Sequence, residues 1–532
     1  MADEGYERLL PRSRRRAAGV YYTPEVLARE VVAETLAPLL ATCAWRTDGS
    51  PMLRLLDPAC GTGRFLAAAA DLLADEAVRR GHEREAARRA ILLRVVVGVE
   101  RDPDAANHAR ALGGEVRVGE ALAGGVIEEG AWDAVVGNPP WVRSVRLKQT
   151  DPVLWRQLRG ALAATSYGEW DLYAAFLERA LTWARPGGEI GLVVPSRWLT
   201  AKNGAPLRER LAALRAVRRI VDFGAAQLFA GATTYSALVY LTRAGTDRVR
   251  VVRRGREGEV SHATLGRAPW VLAIGDEARL LARLTNGTRP LGELARVAKG
   301  AGTNADGVFL LEAAAADGLE CCVPCLRGRD VQPFRTVDAR VALLPYERGR
   351  WLTPDELAQR APRALAHLLA HREQLEQRER GRFRGDTLFR WGRPQNLAWL
   401  LDPTPKLVLP DAARGGRAAL DGRGRLVIDT AYAVRPTGDV PIGLLLAVLN
   451  SSVVAAWLRA TGVPLRGDYF RMKTAYLASL PVPDPATAAA RAVASDALAV
   501  DPDDTAACRA LGERTAALYG VSCDELDAAA RC

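Results

Sequence analysis

Short apolar runs of strand length alternate with longer runs of helical spacing through the first 245 residues of the chain. The strand-like runs fall at 52–56, 92–99, 115–118, 132–137, 189–194, 219–223 and 235–242. Between them lie helical patterns at 26–40, from 65 to about 89 with a break at Gly81, and from about 173 to 183. Strands separated by helices predict one doubly wound α/β sheet, in which ligands collect at the carboxyl ends of the strands. Thr23 stands where an N-cap is wanted and Pro24 suits a first helical position, so the first helix is expected to open there.

The pattern changes after residue 245. Residues 246–290, with the basic run Arg253-Arg254-Gly255-Arg256, read as a linker or crossover. From about 291 the β-like runs shorten, Gly and Arg become frequent, and one helix rich in Arg, Glu and Gln is expected at about 355–380. The chain thus divides into a charged leader 1–18, an α/β domain 19–245, the linker 246–290, a mixed α+β domain 291–483 and an acidic helical tail 484–532. A length of 532 residues agrees with two or three cores rather than one.

Charge adds one point to this division. The formal net charge of +11 is uneven, at +10 across 321–480 and −5 across 481–532. A basic second domain suits a polyanionic partner, although an arginine-coated, merely solvated face has the same composition. No apolar run approaches the roughly 20 residues that span a bilayer, and the charged start carries no apolar signal segment, so a cytoplasmic chain with no membrane partner is expected. Of eight cysteines only Cys321, Cys322 and Cys325 cluster, without a fourth ligand at zinc spacing. They read as buried apolar thiols, with no metal site.

Two stretches carry candidate chemistry. Asp57-Pro58-Ala59-Cys60-Gly61-Thr62-Gly63 joins a strand end to a helix start, where glycines and free amides suit a nucleotide-like ligand. It departs from the dinucleotide fingerprint, because Leu66 stands where a third glycine is wanted. Glu100, at the end of the second strand, is placed to accept from ribose hydroxyls, and Glu120 after the third could meet an adenine amine or lie in an exposed loop. Asn138-Pro139-Pro140-Trp141 follows the fourth strand, and an Asn held before two prolines suits a planar amine.

The order of these motifs strongly resembles the gamma-class, TaqI-like N6-adenine DNA methyltransferases, including the methylase portion of type IIG restriction-modification enzymes. The resemblance begins at Tyr21-Tyr22-Thr23-Pro24 and passes through the two stretches above, Glu100 and Glu120. It continues through Asp171-Leu172-Tyr173, Pro186-Gly187-Gly188, Val194-Pro195-Ser196, Asp222-Phe223-Gly224 and 229–235. It implies a Rossmann-like domain with a mixed seven-stranded sheet, S-adenosylmethionine as methyl donor and adenine in double-stranded DNA as acceptor. By the same resemblance Tyr22, Thr23 and Pro24 approach the methionine end of the cofactor. Asp57, Ala59, Gly61 and Gly63 line it, Glu100 takes its ribose and Glu120 its adenine. The Asn138 side chain and the Pro139 carbonyl are then acceptors for the target amine, and Trp141 and Phe229 stack on a flipped-out base.

A looser resemblance to the target-recognition domain of those enzymes covers Leu326-Arg327-Gly328-Arg329-Asp330, 444–452 and 466–483. The fused restriction enzymes carry a nuclease ahead of the methylase. Only about 18 residues precede Gly19 here, with no spaced acid-acid-lysine set at either end. Methylation without cutting is therefore expected, which leaves room for a separate restriction nuclease or defence protein as partner. Two readings compete: methylation of protein glutamine or RNA amines, which also present planar nitrogen, and a non-catalytic DNA-specificity subunit that keeps the fold.

Overall fold

The computed structural model describes residues 23–531 except 225–227, 229–234, 338–339, 463–464, 466 and 468. Two compact units divide after Gly275. The first is built on a sheet of nine strands: β1 Leu55–Asp57, β2 Val96–Glu100, β3 Glu115–Val118, β4 Trp132–Gly137, β5 Ala184–Pro195, β6 Val217–Asp222, β7 Ser236–Thr242, β8 Arg248–Arg253 and β9 Arg256–Ser261. Their spatial order is β3-β2-β1-β4-β5-β7-β6-β8-β9. Strands β1 to β5 pair in parallel, β7 runs antiparallel to both β5 and β6, β8 is parallel to β6, and β9 closes the edge antiparallel to β8. The chain leaves β1 toward β2 and β3 and returns to β4 on the other side. A topological switch point therefore lies between β1 and β4, the place where open α/β sheets hold their ligands.

The two-residue period of the strands decides which face each side chain covers. In β4, Val135 enters one core while Ala134 and Val136 enter the other; in β7, Ala237, Val239 and Leu241 oppose Leu238 and Tyr240. Helices α1 Glu25–Leu40, α2 Arg64–Arg79 and α3 Arg84–Arg94 supply Val31, Leu36, Phe65, Leu73 and Ile91 to the Val136 face. After α4 Pro103–Arg110, α5 Ser144–Thr150 and α6 Pro152–Leu158, helix α7 Leu172–Trp183 covers the Val135 face with Phe176, Leu177 and Trp183. Helix α8 Ala205–Ala213 adds Leu207 and Leu211 to that same core.

Three expectations are corrected. The sheet has nine strands rather than seven, because the first part of the expected linker 246–290 is sheet: β8 and β9 form a hairpin whose tip, Arg254-Gly255, has positive φ at both residues. Such a tip matches the twist of a two-residue hairpin. Arg248 and Arg250 of β8 alternate with Val249 and Val251, both fully buried, while the basic run Arg253-Arg254-Gly255-Arg256 turns the hairpin from β8 into β9. Thr23 does not cap α1. Pro24, in extended conformation, is the residue before the helix, and its carbonyl accepts from the amides of Leu27 and Ala28. The expected helix at 355–380 is three shorter ones, Pro354–Arg360, Pro362–Ala370 and Arg372–Glu376, since Pro362 lacks the amide a continuing helix needs.

The second unit holds two four-stranded sheets. One orders the strands Ala295–Lys299, Ala431–Pro436, Lys406–Pro410 and Ala419–Asp421; the other orders Leu310–Leu311, Arg340–Leu343, Cys322–Leu326 and Leu426–Val427. The tail from 484 is helical at Ala488–Ala499, Thr505–Ala517 and Cys523–Arg531. Its Ala490, Ala494, Tyr519 and Leu526 share a core with Leu444, Leu445 and Val448. Among the described residues no single helix is long and apolar enough to cross a membrane, and no group of three or more His, Cys, Asp or Glu side chains could hold a metal ion.

Candidate active site

Four neighbouring parallel strands end, in spatial order β3-β2-β1-β4, at or just before Glu120, Glu100, Asp57 and Asn138. The turn after β1 is shaped by two glycines in left-handed conformation, Gly61 at φ +54° and Gly63 at φ +92°. Gly63 precedes α2, and a Cβ there would come within 2.6 Å of Leu112. Glu100 braces this turn: one carboxylate oxygen accepts from the Gly61 amide at 2.9 Å, the other from the Asp102 amide at 2.8 Å. Both oxygens keep a lone pair for a further donor.

Asp57 is fully buried. Its Oδ1 accepts from the Ala59 amide at 3.1 Å, while Oδ2 has no hydrogen-bond partner among the described residues. Burial raises its pKa to about 8; the Ala59 amide opposes this and the charge of Glu100 adds to it. Burial also raises Glu100 and Glu120. Neither Asp57 nor Glu100 forms an ion pair among the described residues. Acids drawn out of water without a counter-charge are costly unless a ligand supplies it, and a cationic ligand with amine or hydroxyl donors fits the buried Asp57 and the half-buried Glu100.

Asn138 begins one residue beyond β4. Gly137 lies so close to the β1 turn that a Cβ would meet Asp57 Oδ1 at 2.7 Å, so only glycine lets the two strand ends come together. The Asn138 amide donates from Nδ2 to Thr23 Oγ1 at 3.1 Å. That bond ties β4 to the start of α1 and makes the side-chain oxygen the acceptor end of a fixed amide. Pro139 is buried, and Trp141 is half-buried against the clusters on both faces of the sheet. Behind the loop, the Leu172 amide donates to the Val142 carbonyl at 2.8 Å and the Ser144 amide to Trp170 at 2.7 Å. Asp171-Leu172-Tyr173 is thereby laced to the segment after Trp141.

Thr23, Pro24, Asp57, Ala59, Gly61, Gly63, Glu100, Glu120, Asn138, Pro139 and Trp141 thus stand on elements that converge on one rim, whereas Tyr22 and Phe229 lie outside the described residues. Residues 99–229 match the Eco57I restriction-modification methylase family, and residues 323–482 match the TaqI-like C-terminal specificity domain. The chain resembles the TaqI-like restriction-modification methyltransferases in both segments. Among its relatives, the type II methyltransferase M.PaeR7I of Pseudomonas aeruginosa is 26% identical over 386 residues, spanning 67% of this chain and 65% of that protein. M.BstVI of Geobacillus stearothermophilus is 24% identical over 490 residues, 81% of this chain and 85% of that protein. The solved structure of the type IIL restriction-modification enzyme MmeI in complex with DNA has the same fold. It aligns with a TM-score of 0.65 at 17% identity, over 98% of this chain and 77% of that one.

Two features of this rim escape motif reading. Arg101 pairs with Glu120 at 3.5 Å and with Asp151 at 2.9 Å, while Asp151 Oδ1 accepts from the Leu154 amide at the start of α6. Glu120 is therefore held from the side rather than loose in a loop. The bond from Asn138 to Thr23 spans 115 residues. Its only signal in the sequence is that a hydroxyl and an amide occur in motifs of one constellation.

Proposed function

We propose that the chain is a DNA methyltransferase that moves the methyl group of S-adenosylmethionine to the N6 amine of an adenine flipped out of double-stranded DNA, within a restriction-modification setting. The observation that carries the proposal is the adjacency across the switch point: a buried acid at the end of β1, a half-buried one at the end of β2, and a fixed amide acceptor at the end of β4. Asp57 and Glu100 hold the cofactor through its charge and its ribose, the Gly61–Gly63 turn accommodates its backbone-close part, and Glu120 takes its adenine amine. When bound, S-adenosylmethionine supplies an electrophilic methyl group on a sulfonium. An aromatic amine is a poor nucleophile because its lone pair is delocalised into the ring. Asn138 Oδ1 and the Pro139 carbonyl accept from its two hydrogens, turn the nitrogen toward tetrahedral geometry and free the lone pair. Fixed alignment contributes much of the remaining rate. Trp141, and Phe229 by the family resemblance, hold the base by stacking.

The direct test supplies the purified protein with methyl-labelled cofactor and unmodified duplex DNA, and digests the product to nucleosides. Label in N6-methyldeoxyadenosine is the expected result; label in another nucleoside, or only in added protein or RNA, removes the reading.

Thr23 is a positioning residue in this account, acting through Asn138. Thr23→Val is expected to lower kcat on the order of 10-fold or more while KM for DNA stays within about twofold, and Thr23→Ser is expected to restore most of the rate. Equal loss in both variants, or a change confined to KM, contradicts the role. A division of labour follows from the two separate sets of cores. A fragment ending at Gly275 is expected to melt cooperatively and bind the cofactor within about twofold of the whole chain by calorimetry, with no sequence-specific methylation. Specific methylation by the fragment would overturn the division.

A further inference from the structure

Between the helix Arg372–Glu376 and residue 385 the second unit makes a turn that no motif accounts for. Glu379, Arg380 and Gly381 are left-handed in succession, at φ +46°, +63° and +78°, and two of the three carry side chains that disfavour this conformation. Single left-handed residues are ordinary in turns; a run that includes Glu and Arg persists only where the surroundings over-determine it.

The surroundings here do so. Arg378 is buried and its guanidinium donates to four backbone carbonyls: Leu375 at 3.1 Å, Thr303 at 3.2 Å, Arg390 at 3.0 Å and Leu388. It lies over the Phe383 ring at 4.7 Å, and Phe383 is itself buried. Asn304, also left-handed, donates to the Glu379 carboxylate, which pairs on its other oxygen with Arg382 at 3.1 Å. The neighbouring loops are cross-braced by Gly302 and Arg393, whose amides each donate to the other's carbonyl. A buried arginine and phenylalanine thus pin the base of the turn, while Arg380, Arg382 and Arg384 are exposed. Arg380 forms no ion pair or hydrogen bond among the described residues. A surface that only needs to be soluble has no use for a strained turn held this rigidly, whereas reading a base edge needs a guanidinium fork presented on a fixed backbone.

We infer that the turn 378–384 is a DNA-reading element of the specificity domain and that Arg380 reads a guanine edge within the recognised sequence. Arg378 and Phe383 position it, and Arg382 is held by Glu379 beside it. The inference rests on the proposed DNA methyltransferase activity. It assigns an arginine that composition alone left unsorted between base, phosphate and solvent.

The test compares the full-length parent, Arg380→Ala and Arg380→Lys on a duplex carrying the methylated motif of the parent and on duplexes with each position of that motif substituted. Cofactor affinity and thermal melting serve as fold controls. Arg380→Ala is expected to lose discrimination at one G·C position, on the order of 10- to 100-fold, leaving the other positions as they were. Arg380→Lys keeps the charge without the fork and is expected to restore the salt dependence of binding but not that discrimination. Weakening that is uniform across all sequences, with a shallower salt slope, marks a phosphate contact and overturns the assignment, as does unchanged discrimination. If the parent modifies no DNA motif at all, the underlying reading fails and the assignment falls with it. Active parent and indifferent variants sink the assignment alone.

Discussion

Asn138→Ala is expected to lower the methyl-transfer rate by about a thousandfold or more while leaving cofactor affinity within about threefold of the parent. The asymmetry follows from where the residue stands. Asn138 belongs to β4, across the switch point from the acids on β1 and β2, and its Nδ2 is engaged by Thr23 rather than by any group of the cofactor turn. Its oxygen matters only when the amine begins to acquire positive charge. Removing one fixed acceptor of that kind costs about 10²–10³ in rate in comparable oxyanion sites, and loss of the amide also frees the start of α1 from β4. Single-turnover kinetics on DNA separate this from slow product release, and calorimetry with cofactor reads the other half. A variant that loses cofactor binding in parallel with rate would place Asn138 in the cofactor pocket and contradict its assigned role.

Asp57→Asn should act in the opposite sense on stability and on binding. The parent carboxyl has its pKa raised by burial to about 8, far above its ordinary value of 3.8. Between those limits the unfolded chain has lost the proton and the folded chain retains it, so the stability contributed by this group is present below about pH 4 and is lost as pH rises toward 8. Asparagine keeps an acceptor for the Ala59 amide without the titration. The variant is therefore expected to melt a few degrees above the parent, about 3–8 °C at pH 8, with the advantage shrinking as pH falls toward 4. The same substitution removes the buried charge that meets a cationic cofactor, and affinity for S-adenosylmethionine should fall on the order of 10- to 100-fold. In the parent, binding at pH 7 should release close to one proton, about one per site, seen as a dependence of the binding enthalpy on buffer. A variant with unchanged affinity and unchanged proton release would remove Asp57 from the cofactor site.

Much of this rim was legible in the sequence because a parallel sheet delivers its functional residues at the points where apolar runs stop. Asp57, Glu100, Glu120 and Asn138 each follow a run that could be read without a structure, and the switch between β1 and β4 brings them together. What failed to show were features set by distant partners. Thr23 looks like a helix cap by local rules, yet its hydroxyl is used by Asn138. In β8, alternate arginines masked a strand whose other face is buried valine, so the edge hairpin read as a linker. The helix at 355–380 kept its composition but not its continuity, and the left-handed turn from Glu379 to Gly381 leaves no local signal except its single glycine. The buried partners of Arg378 lie up to 75 residues away, which is why that arginine was indistinguishable from its exposed neighbours.

The central claim is transfer to adenine in DNA directed by a recognised sequence. Its most direct test is modification-sensitive sequencing of genomic DNA from a methylation-free bacterial host expressing the full chain, with an Asn138→Ala culture as reference. One recurring motif carrying N6-methyladenine with the parent, and none with the variant, is the result the account requires. Soluble, cofactor-binding parent protein that leaves the host genome without a modified adenine would contradict it.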